Sequence, residues 1–539
     1  MASHATVFEM FAATARAVAD HPFLIVPARA DRDWHPGGVE HSYGQTLAEV
    51  ERLRDLYAAA GYRHGHRVSI LLENRPEFFF HYLALNALGV CAVPINPDYR
   101  HDEIAYVLDH SDVELAVVLP HRVEDVTQAA AERAKPPPVV DAHAMPAELP
   151  RPSGPAPEKG RPGLDSECTL LYTSGTTGRP KGCRLSNLYT LNAGSTYCAH
   201  GGLMAIRHGQ ERFYNPLPLF HINHLNIMST AAIQTANTLV LPERFSPARW
   251  WHEVSTHDVT VIHYLGIVAP MLLNQSLGPA DRNHKVRIGI GAGIEPQLHR
   301  VFEERFGFPM IEVWGMTETG RITGDCHEPR MVGTRAFGRP FPGLEARVVD
   351  DNDKDVAVGT PGEFLVRHSA ETPRYGFFSG YLKNETATEE AWRGGWFHTG
   401  DVVKQDASGM LFFVDRKKHI IRRAGENIAA AEIEAVLQAH EAVAQVAVVA
   451  APDELREEEV LACIVTMPGI KGDAALADAL FVQCNARLAY FKAPGWVLFL
   501  DTLPTTGTQK VQKTQIFAPG EDPRQRAGII DLRARKRRG

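Results

Sequence analysis

The sequence predicts an α/β protein: a large N-terminal domain built on parallel sheets, a β-rich subdomain, and a small C-terminal α/β domain. Three observations carry this. Strand-like and helix-like runs alternate from 67 to 119, the pattern of parallel strands with helices covering both faces. After Trp396, short β-like segments follow one another as far as the FFVDRKK run at 412–418. Beyond that run, one amphipathic helix and two apolar strands are enough for a small unit of their own. A chain of 539 residues also exceeds one ordinary domain.

Residues 1–60 carry helical spacing, for instance at Leu47, Val50, Leu53, Leu56 and Tyr57, and read as scaffold. Strands are expected at 67–72, 92–95 and 115–119, with helices at 76–89 (Phe79, Leu83 and Leu88 inward) and 102–109. Residues 120–165 hold a triple proline at 136–138 and further prolines to Pro162, and read as an irregular surface excursion. Residues 168–172 end a buried strand, and 213–224 read as strand-like into a turn. Another strand is expected at 259–264 and one ending at Gly315. In the last part, 429–440 is an amphipathic helix with Ile433, Val436 and Leu437 on one side, followed by strands at 445–450 and 460–466.

Hydrophobic residues make up 44% and charged residues 22%, the balance of a soluble globular protein. A net charge of −8 gives no reason to expect a nucleic-acid partner. The basic run at 533–538 is expected to be a solvated, disordered tail. Seven cysteines without a CxxC pair suit reduced thiols and a cytoplasmic location. The N-terminus lacks a basic region followed by an apolar run, so no signal peptide is expected, and no run is long enough for a membrane span.

The densest chemistry lies in YTSGTTGRPKG at 172–182. Thr173, Ser174, Thr176 and Thr177 supply hydroxyls, Gly175 and Gly178 let backbone N–H groups approach an anion, and Lys181 adds a positive charge. Such a loop suits nucleotide phosphates. It differs from a Walker loop because Gly182 follows Lys181, leaving no hydroxyl there for Mg²⁺, so a metal ligand must come from elsewhere.

This loop resembles the phosphate loop of the adenylate-forming enzymes: acyl-CoA synthetases, luciferases and peptide-synthetase adenylation domains. The resemblance implies that ATP and a carboxylic acid give an acyl-adenylate, which passes to a thiol, with ATP, Mg²⁺ and coenzyme A as the implied cofactors. Four more motifs follow in the family's order. The glycine-rich RIGIGAGIEP at 287–296 matches the place where adenine stacks, on Gly291, Ala292 and Gly293. EVWGMTET at 312–319 is similar to the segment in which Thr317 would bind the α-phosphate and Glu318 Mg²⁺, beside Trp314, Gly315 and Met316. In WFHTGD, Asp401 would take both ribose hydroxyls, with Arg416 as second ribose contact. In LPTTGTQK, Lys510 falls on the catalytic lysine.

The resemblance also puts a hinge at Lys418, dividing the chain into domains 1–417 and 418–539 and making the smaller one mobile. Gly425, in the AGEN run at 424–427, would line the thiol channel. Ala424 there and Gln509 before Lys510 stand where the family usually has glycine. His221, in a PxFH-like segment, would be a gate or pocket residue at the acyl site, without a proton-transfer role. His221, Asn223, His224, His263 and Tyr264 would suit a short or medium polar acid rather than a long fatty acid. FFVDRKK and AGENI look most like bacterial carnitine- and crotonobetaine-CoA ligases, and Tyr264 and Trp314 would face a quaternary ammonium. The expected partners are a small carboxylic acid, ATP and CoA, with self-association left open. The alternatives are loading of a separate carrier protein and a catalytically silent nucleotide-binding regulator. Retention of Glu318, Asp401 and Lys510 weighs against the regulator.

Overall fold

The computed structural model describes the whole chain except residues 1–3, 174–178, 267, 295, 417–419, 505–510, 512, 514, 515, 519, 538 and 539. At 415, 416, 420, 427, 429, 431 and 435 it describes the backbone alone. Contacts divide the chain into two compact units. The first comprises Met1–Pro97, Val107–Leu171 and Gly182–Asp415; the second comprises Arg416–Gly539 together with Asp98–Tyr106 and Tyr172–Lys181.

The first unit holds two large sheets that are parallel except at their edges. One is ordered Gly380–Tyr381, Lys181–Ser186, Glu167–Thr173, Cys91–Pro94, Arg67–Leu71, Leu115–Val118, Val139–Asp141. The other is ordered Ile322–Gly324, Met310–Gly315, Ile288–Ala292, Val261–Leu265, Arg212–Tyr214, Thr238–Val240, Pro22–Val26, Val39–Ser42. Their central strands are buried throughout, as in Leu115–Val118 and Cys91–Pro94, which is why they read as apolar runs rather than alternations. A four-stranded antiparallel sheet, Glu345–Val349, Gly362–Arg367, Phe397–Gln405, Leu411–Arg416, forms the β-rich subdomain. The alternating core of 67–119 is as expected, with helices Pro76–Ala87 and His101–His110 between its strands.

Three expectations for this unit are corrected. The N-terminal scaffold contains the helices Val7–Ala17 and Tyr43–Ala60, but also the strands Pro22–Val26 and Val39–Ser42. Pro22–Val26 is only five residues long, and four of them are buried against the parallel sheet. The proline-rich excursion is less irregular than expected, since helix Val123–Ala130 and edge strand Val139–Asp141 extend the sheet before 142–166. The run at 213–224, read as strand-like into a turn, is strand only as far as Tyr214, ahead of Pro216 and Pro218, which cannot donate to a ladder. Asn223–Met228 then forms a π-helical turn.

In the second unit, the mixed sheet runs Glu426–Ala429, Ile420–Arg423, Glu457–Thr466, Trp496–Phe499, Ile530–Asp531, with Val443–Asp453 paired to Glu457–Thr466. Helices Ala430–Gln438 and Ala474–Arg487 pack their apolar sides on it through Ile433, Leu437, Leu480 and Cys484. Buried Lys492 reaches Glu103 at 2.6 Å and Glu432 at 3.0 Å. The basic C-terminal run is not a solvated tail. Ile530–Asp531 adds a strand beside Trp496–Phe499, Arg533 lies 4.5 Å over the Trp496 ring, and Lys536 is fully buried. The expectation failed because composition alone cannot show that acidic partners wait in the fold. Among the described residues, no helix is long and apolar enough to cross a membrane.

Candidate active site

Most motif residues sit at the C-terminal ends of parallel strands, where open α/β sheets present their ligand sites. Thr173 ends the strand Glu167–Thr173, and Lys181 begins Lys181–Ser186. Ser174, Gly175, Thr176, Thr177 and Gly178, between them, lie outside the described residues, as do Lys418 and Lys510.

Gly291 and Ala292 end the strand Ile288–Ala292, with Gly291 in register with Tyr264 on one side and Glu312 on the other. A Cβ at Gly291 would stand 2.1 Å from the Tyr264 carbonyl oxygen and 2.6 Å from its ring. Only glycine fits there, because Tyr264 fills the place a side chain would take. Gly293 follows at φ 85°, a left-handed conformation. Its N–H donates to Glu312 Oε1 at 2.5 Å, and the Ile294 N–H donates to Oε2 at 3.2 Å. The Tyr264 hydroxyl donates to the same carboxyl group. Burial pushes Glu312 up to about 7, while the backbone donors, His299 and Tyr264 pull the other way. Glu312 therefore holds the glycine turn in place. An acidic residue inside the apolar run MIEVW was the sequence signal for it.

The neighbouring strand Met310–Gly315 ends at the second motif. Trp314, buried against Phe337 and Phe364, donates its indole N–H to Asp401 Oδ2 at 2.8 Å. This joins the third motif to the second across 87 residues. Asp401 is only 2% exposed, and its own N–H donates to the Thr399 hydroxyl. Gly315 and Met316 lead into a turn in which Thr317 donates no described bond but lends its carbonyl to the Tyr189 hydroxyl at 2.5 Å. Glu318 is nearly buried, and its Oε1 accepts from the Tyr381 hydroxyl at 2.8 Å. Burial and the Glu318 charge raise the Tyr381 phenol far above its ordinary value, so it remains a donor.

Sequence reasoning missed Arg321, which underpins this turn. It is fully buried, donates to the carbonyls of Thr319, Tyr375 and Gly376, and lies 4.5 Å over the Phe377 ring. Burial pulls it down to about 10. No motif marks it, because its partners are backbone atoms remote in sequence.

The histidine-rich segment differs from expectation. His221, half-buried, packs against Phe220 just before the π turn. His224, His263 and Tyr264 are buried, and the polar groups of His263 and Tyr264 are engaged within the fold, whereas His224 Nε2 has no partner among the described residues. His263 Nδ1 meets Asn223 at 2.9 Å and its Nε2 meets the Tyr197 hydroxyl at 2.9 Å; His224 Nδ1 meets the Leu217 carbonyl. Burial lowers His224 to about 4 and His263 to about 3, so both are neutral. His263 and Tyr264 are therefore spent inside the fold, whereas buried Asn226 Oδ1, like His224 Nε2, has no partner among the described residues. Tyr264, fully buried, and Trp314, 6% exposed, likewise offer no open face for a quaternary ammonium.

In the second unit, Arg416 ends the strand Leu411–Arg416, and Gly425 lies in the two-residue turn joining Ile420–Arg423 to Glu426–Ala429. Ala424 has φ 50° and Gly425 φ 88°. Positive φ at both central positions is what a tight hairpin of this length requires.

One carboxylate in a fixed hydrogen bond, Glu318, suits Mg²⁺, which binds through one or two carboxylates plus phosphate oxygens. Among the described residues no group of three or more His, Cys, Asp or Glu could hold a metal ion by itself.

Comparison with known proteins agrees with this geometry. The chain is 31% identical to the sulfoacetate–CoA ligase of Cupriavidus necator over 518 residues, covering 95% of this chain and 97% of the relative. It is 29% identical to the crotonobetaine/carnitine–CoA ligase of Proteus mirabilis, over 88% of this chain and 93% of that protein. Among solved structures, the o-succinylbenzoate CoA synthetase of Bacillus subtilis, bound to a product analogue, superimposes with a TM-score of 0.80 at 26% identity, covering 94% and 97% of the two chains. Residues 432–510 match the AMP-binding enzyme C-terminal domain. Residues 11–382 match the AMP-binding enzyme family itself, and the chain belongs to that family.

Proposed function

We propose that this chain, an AMP-forming acid–CoA ligase, divides two half-reactions among the residues described above. In the first, the carboxylate of the acid attacks the α-phosphorus of ATP, the bond to the β-phosphate oxygen breaks, and pyrophosphate leaves. In the second, the CoA thiolate attacks the acyl carbon and AMP leaves. The Trp314–Asp401 hydrogen bond carries this reading, because it fixes a buried carboxylate beside the turn of Thr317 and Glu318. A carboxylate is a natural acceptor for the two ribose hydroxyls. The backbone at Gly291, Ala292 and Gly293, held by Glu312, would receive the adenine ring, with Met316 beside it. Thr317 would donate to the α-phosphate. Glu318 would hold Mg²⁺, which offsets phosphate charge when bound. The 172–182 loop would hold the outer phosphates through its N–H groups and Lys181. Catalysis here is positioning and charge neutralisation.

Lys510 would bridge the carboxylate and the transferring phosphate, and Arg416 would make a second ribose contact. Lys418, at the start of a C-terminal domain 418–539, would be the hinge by which Lys510 and Gly425 address the adenylate in turn. His221 would border the acyl site. The acid is proposed to be short or medium and polar or charged, supported by the acids named for the relatives, sulfoacetate and crotonobetaine or carnitine. A panel containing sulfoacetate, crotonobetaine, benzoate and palmitate, assayed for AMP release with and without CoA, tests this. CoA-dependent AMP release with a small polar acid is expected, and preference for palmitate would overturn the substrate class. Lys510→Ala should lower pyrophosphate exchange about 10²–10³-fold. Exchange at the wild-type rate would move the catalytic lysine elsewhere.

A further inference from the structure

The C-terminal segment contributes a side chain to the interior of the second unit. Ile530 pairs with Val497, the Leu532 N–H donates to the Gly495 carbonyl, and Arg533 stacks on Trp496 while bonding Asp531 and Asp453. Arg535 pairs with Asp478 and lies over Phe481. These contacts deliver Lys536 inward, where its Nζ donates to Glu459 Oε1 at 2.5 Å with both side chains fully buried. Glu459 lies against Gly495, where a Cβ would come within 2.3 Å of its stem, so the carboxylate has no room to turn away. Its other oxygen, Oε2, accepts from Arg423 Nε at 2.7 Å, and Arg423 is 5% exposed.

Arg423 is the last residue before the turn of Ala424 and Gly425 and stands opposite Glu426 in the hairpin register. Ala424 is in the left-handed region at φ 50°. For a residue with a Cβ, that conformation is disfavoured by about 1–2 kcal/mol, so something must hold the turn in shape. We propose that Lys536 is a positioning residue: acting through Glu459 and Arg423, it keeps the strained 424–425 turn in the geometry needed for the thiol step. The part concerning the thiol step rests on the two-step reading above; the part concerning the turn stands on the contacts alone. A buried carboxylate bonded on both sides by cations orients both of them. Glu459 Oε1 also accepts from the Val460 N–H at 2.8 Å, so removing the lysine leaves the carboxylate in place but takes away one of its two cations, and Arg423 and the turn it flanks lose that balance.

Hydrogen exchange of the full-length chain reads the turn directly. Lys536→Met, which keeps the length of the side chain, should speed exchange across 422–428 about tenfold, while helix Ala474–Arg487 keeps its wild-type protection. Glu459→Gln keeps the shape and weakens both links, so it should do the same if Lys536→Met folds poorly. Ala424→Gly relieves the strain, and in the double variant with Lys536→Met it should cancel most of the added exchange. No change at 422–428, equal loosening of the whole unit, or no rescue by Ala424→Gly would each overturn the proposal. Kinetics supply a second readout, with sulfoacetate and crotonobetaine as the acids: Lys536→Met should raise the KM for CoA about tenfold and leave pyrophosphate exchange unchanged. An equal fall in both would overturn the link to the thiol step. If the wild type uses no acid with CoA, the ligase reading fails while the exchange result on the turn still decides its own question.

Discussion

Two glycine-bearing turns are held in opposite ways. The turn at Gly291–Gly293 is supported by one buried carboxyl, Glu312, that takes backbone N–H groups directly, and the Tyr264 hydroxyl that also donates to it is neutral. The turn at Ala424–Gly425 is tied directly at one point, where the Ala424 N–H donates to the Arg456 carbonyl, and otherwise at one remove, by a chain of charges running Arg423, Glu459, Lys536. The first is fixed by shape, since a Cβ at Gly291 has nowhere to go. The second is fixed by charge against an unfavourable backbone angle. A turn held by shape fails all at once, whereas one held by charge can be loosened in steps, and it is the second that would have to serve a site reached in turn.

The largest break in this contrast is Gly291→Val. A side chain 2.1 Å from a backbone carbonyl cannot be absorbed by a rotamer change, so a loss of about 3 kcal/mol or more is expected. Thermal unfolding and ATP titration would both report it. Glu312→Ala comes next, since it strands the N–H groups of Gly293 and Ile294. About 2–3 kcal/mol of stability should go, together with nucleotide binding. Unchanged ATP affinity would show that Glu312 does not hold that turn.

A change of pH separates the two supports by sign. Glu312 stands at about 7 in the fold, above its ordinary 4.5. Its stabilising contribution is complete below about 4.5 and is lost as pH rises through 7, on the order of 3 kcal/mol in all. Lys536 is the reverse: burial, with Arg423 and Arg456 nearby and Glu459 opposing, pulls it to about 7 from 10.5. Its contribution is complete above about 10.5 and is lost as pH falls through 7. Hydrogen exchange near 288–294 should therefore quicken from pH 5 to 8, after correction for the intrinsic rate, and Glu312→Gln should flatten that trend. The stability of the second unit should rise from pH 7 to 10, read from its slowest-exchanging amides, and Lys536→Met should flatten that rise. A fall over that range would erase the distinction. The smallest effect is Ala424→Gly alone, which should stabilise the second unit by about 1 kcal/mol, measured as a small rise in Tm.

Much of this frame was legible in the chain. The apolar runs at 67–71, 91–94 and 115–118 could be read because central parallel strands are buried on both faces, and the motifs because their chemistry is concentrated in few residues. The supports were not legible. Glu312 left one trace, an acidic residue inside the apolar run MIEVW, but Arg321, Tyr381 and Lys536 find their partners far away in sequence, or in backbone atoms that carry no signature. The histidines misled for a related reason: His263 looks like a pocket group until Tyr197 and Asn223 are seen to take both its nitrogens. Pro216 and Pro218 did signal the end of the strand at Tyr214, but nothing local announced the wide turn after them.

That wide turn has a consequence for chain length. A π turn amounts to one residue inserted into an α-helical run, and each residue turns the helix by about 100°. Asn223 reaches His263 from the first residue of this turn, while Asn226 donates to Thr169 and Thr190 from within it. Both sets of bonds exist together only because the extra residue sets the angle between them. Deleting His224 or Leu225, which lie between the two asparagines, would therefore dephase them, even if every remaining side chain were kept. In this segment the count of residues is itself the information, and a substitution should be tolerated where a deletion is not.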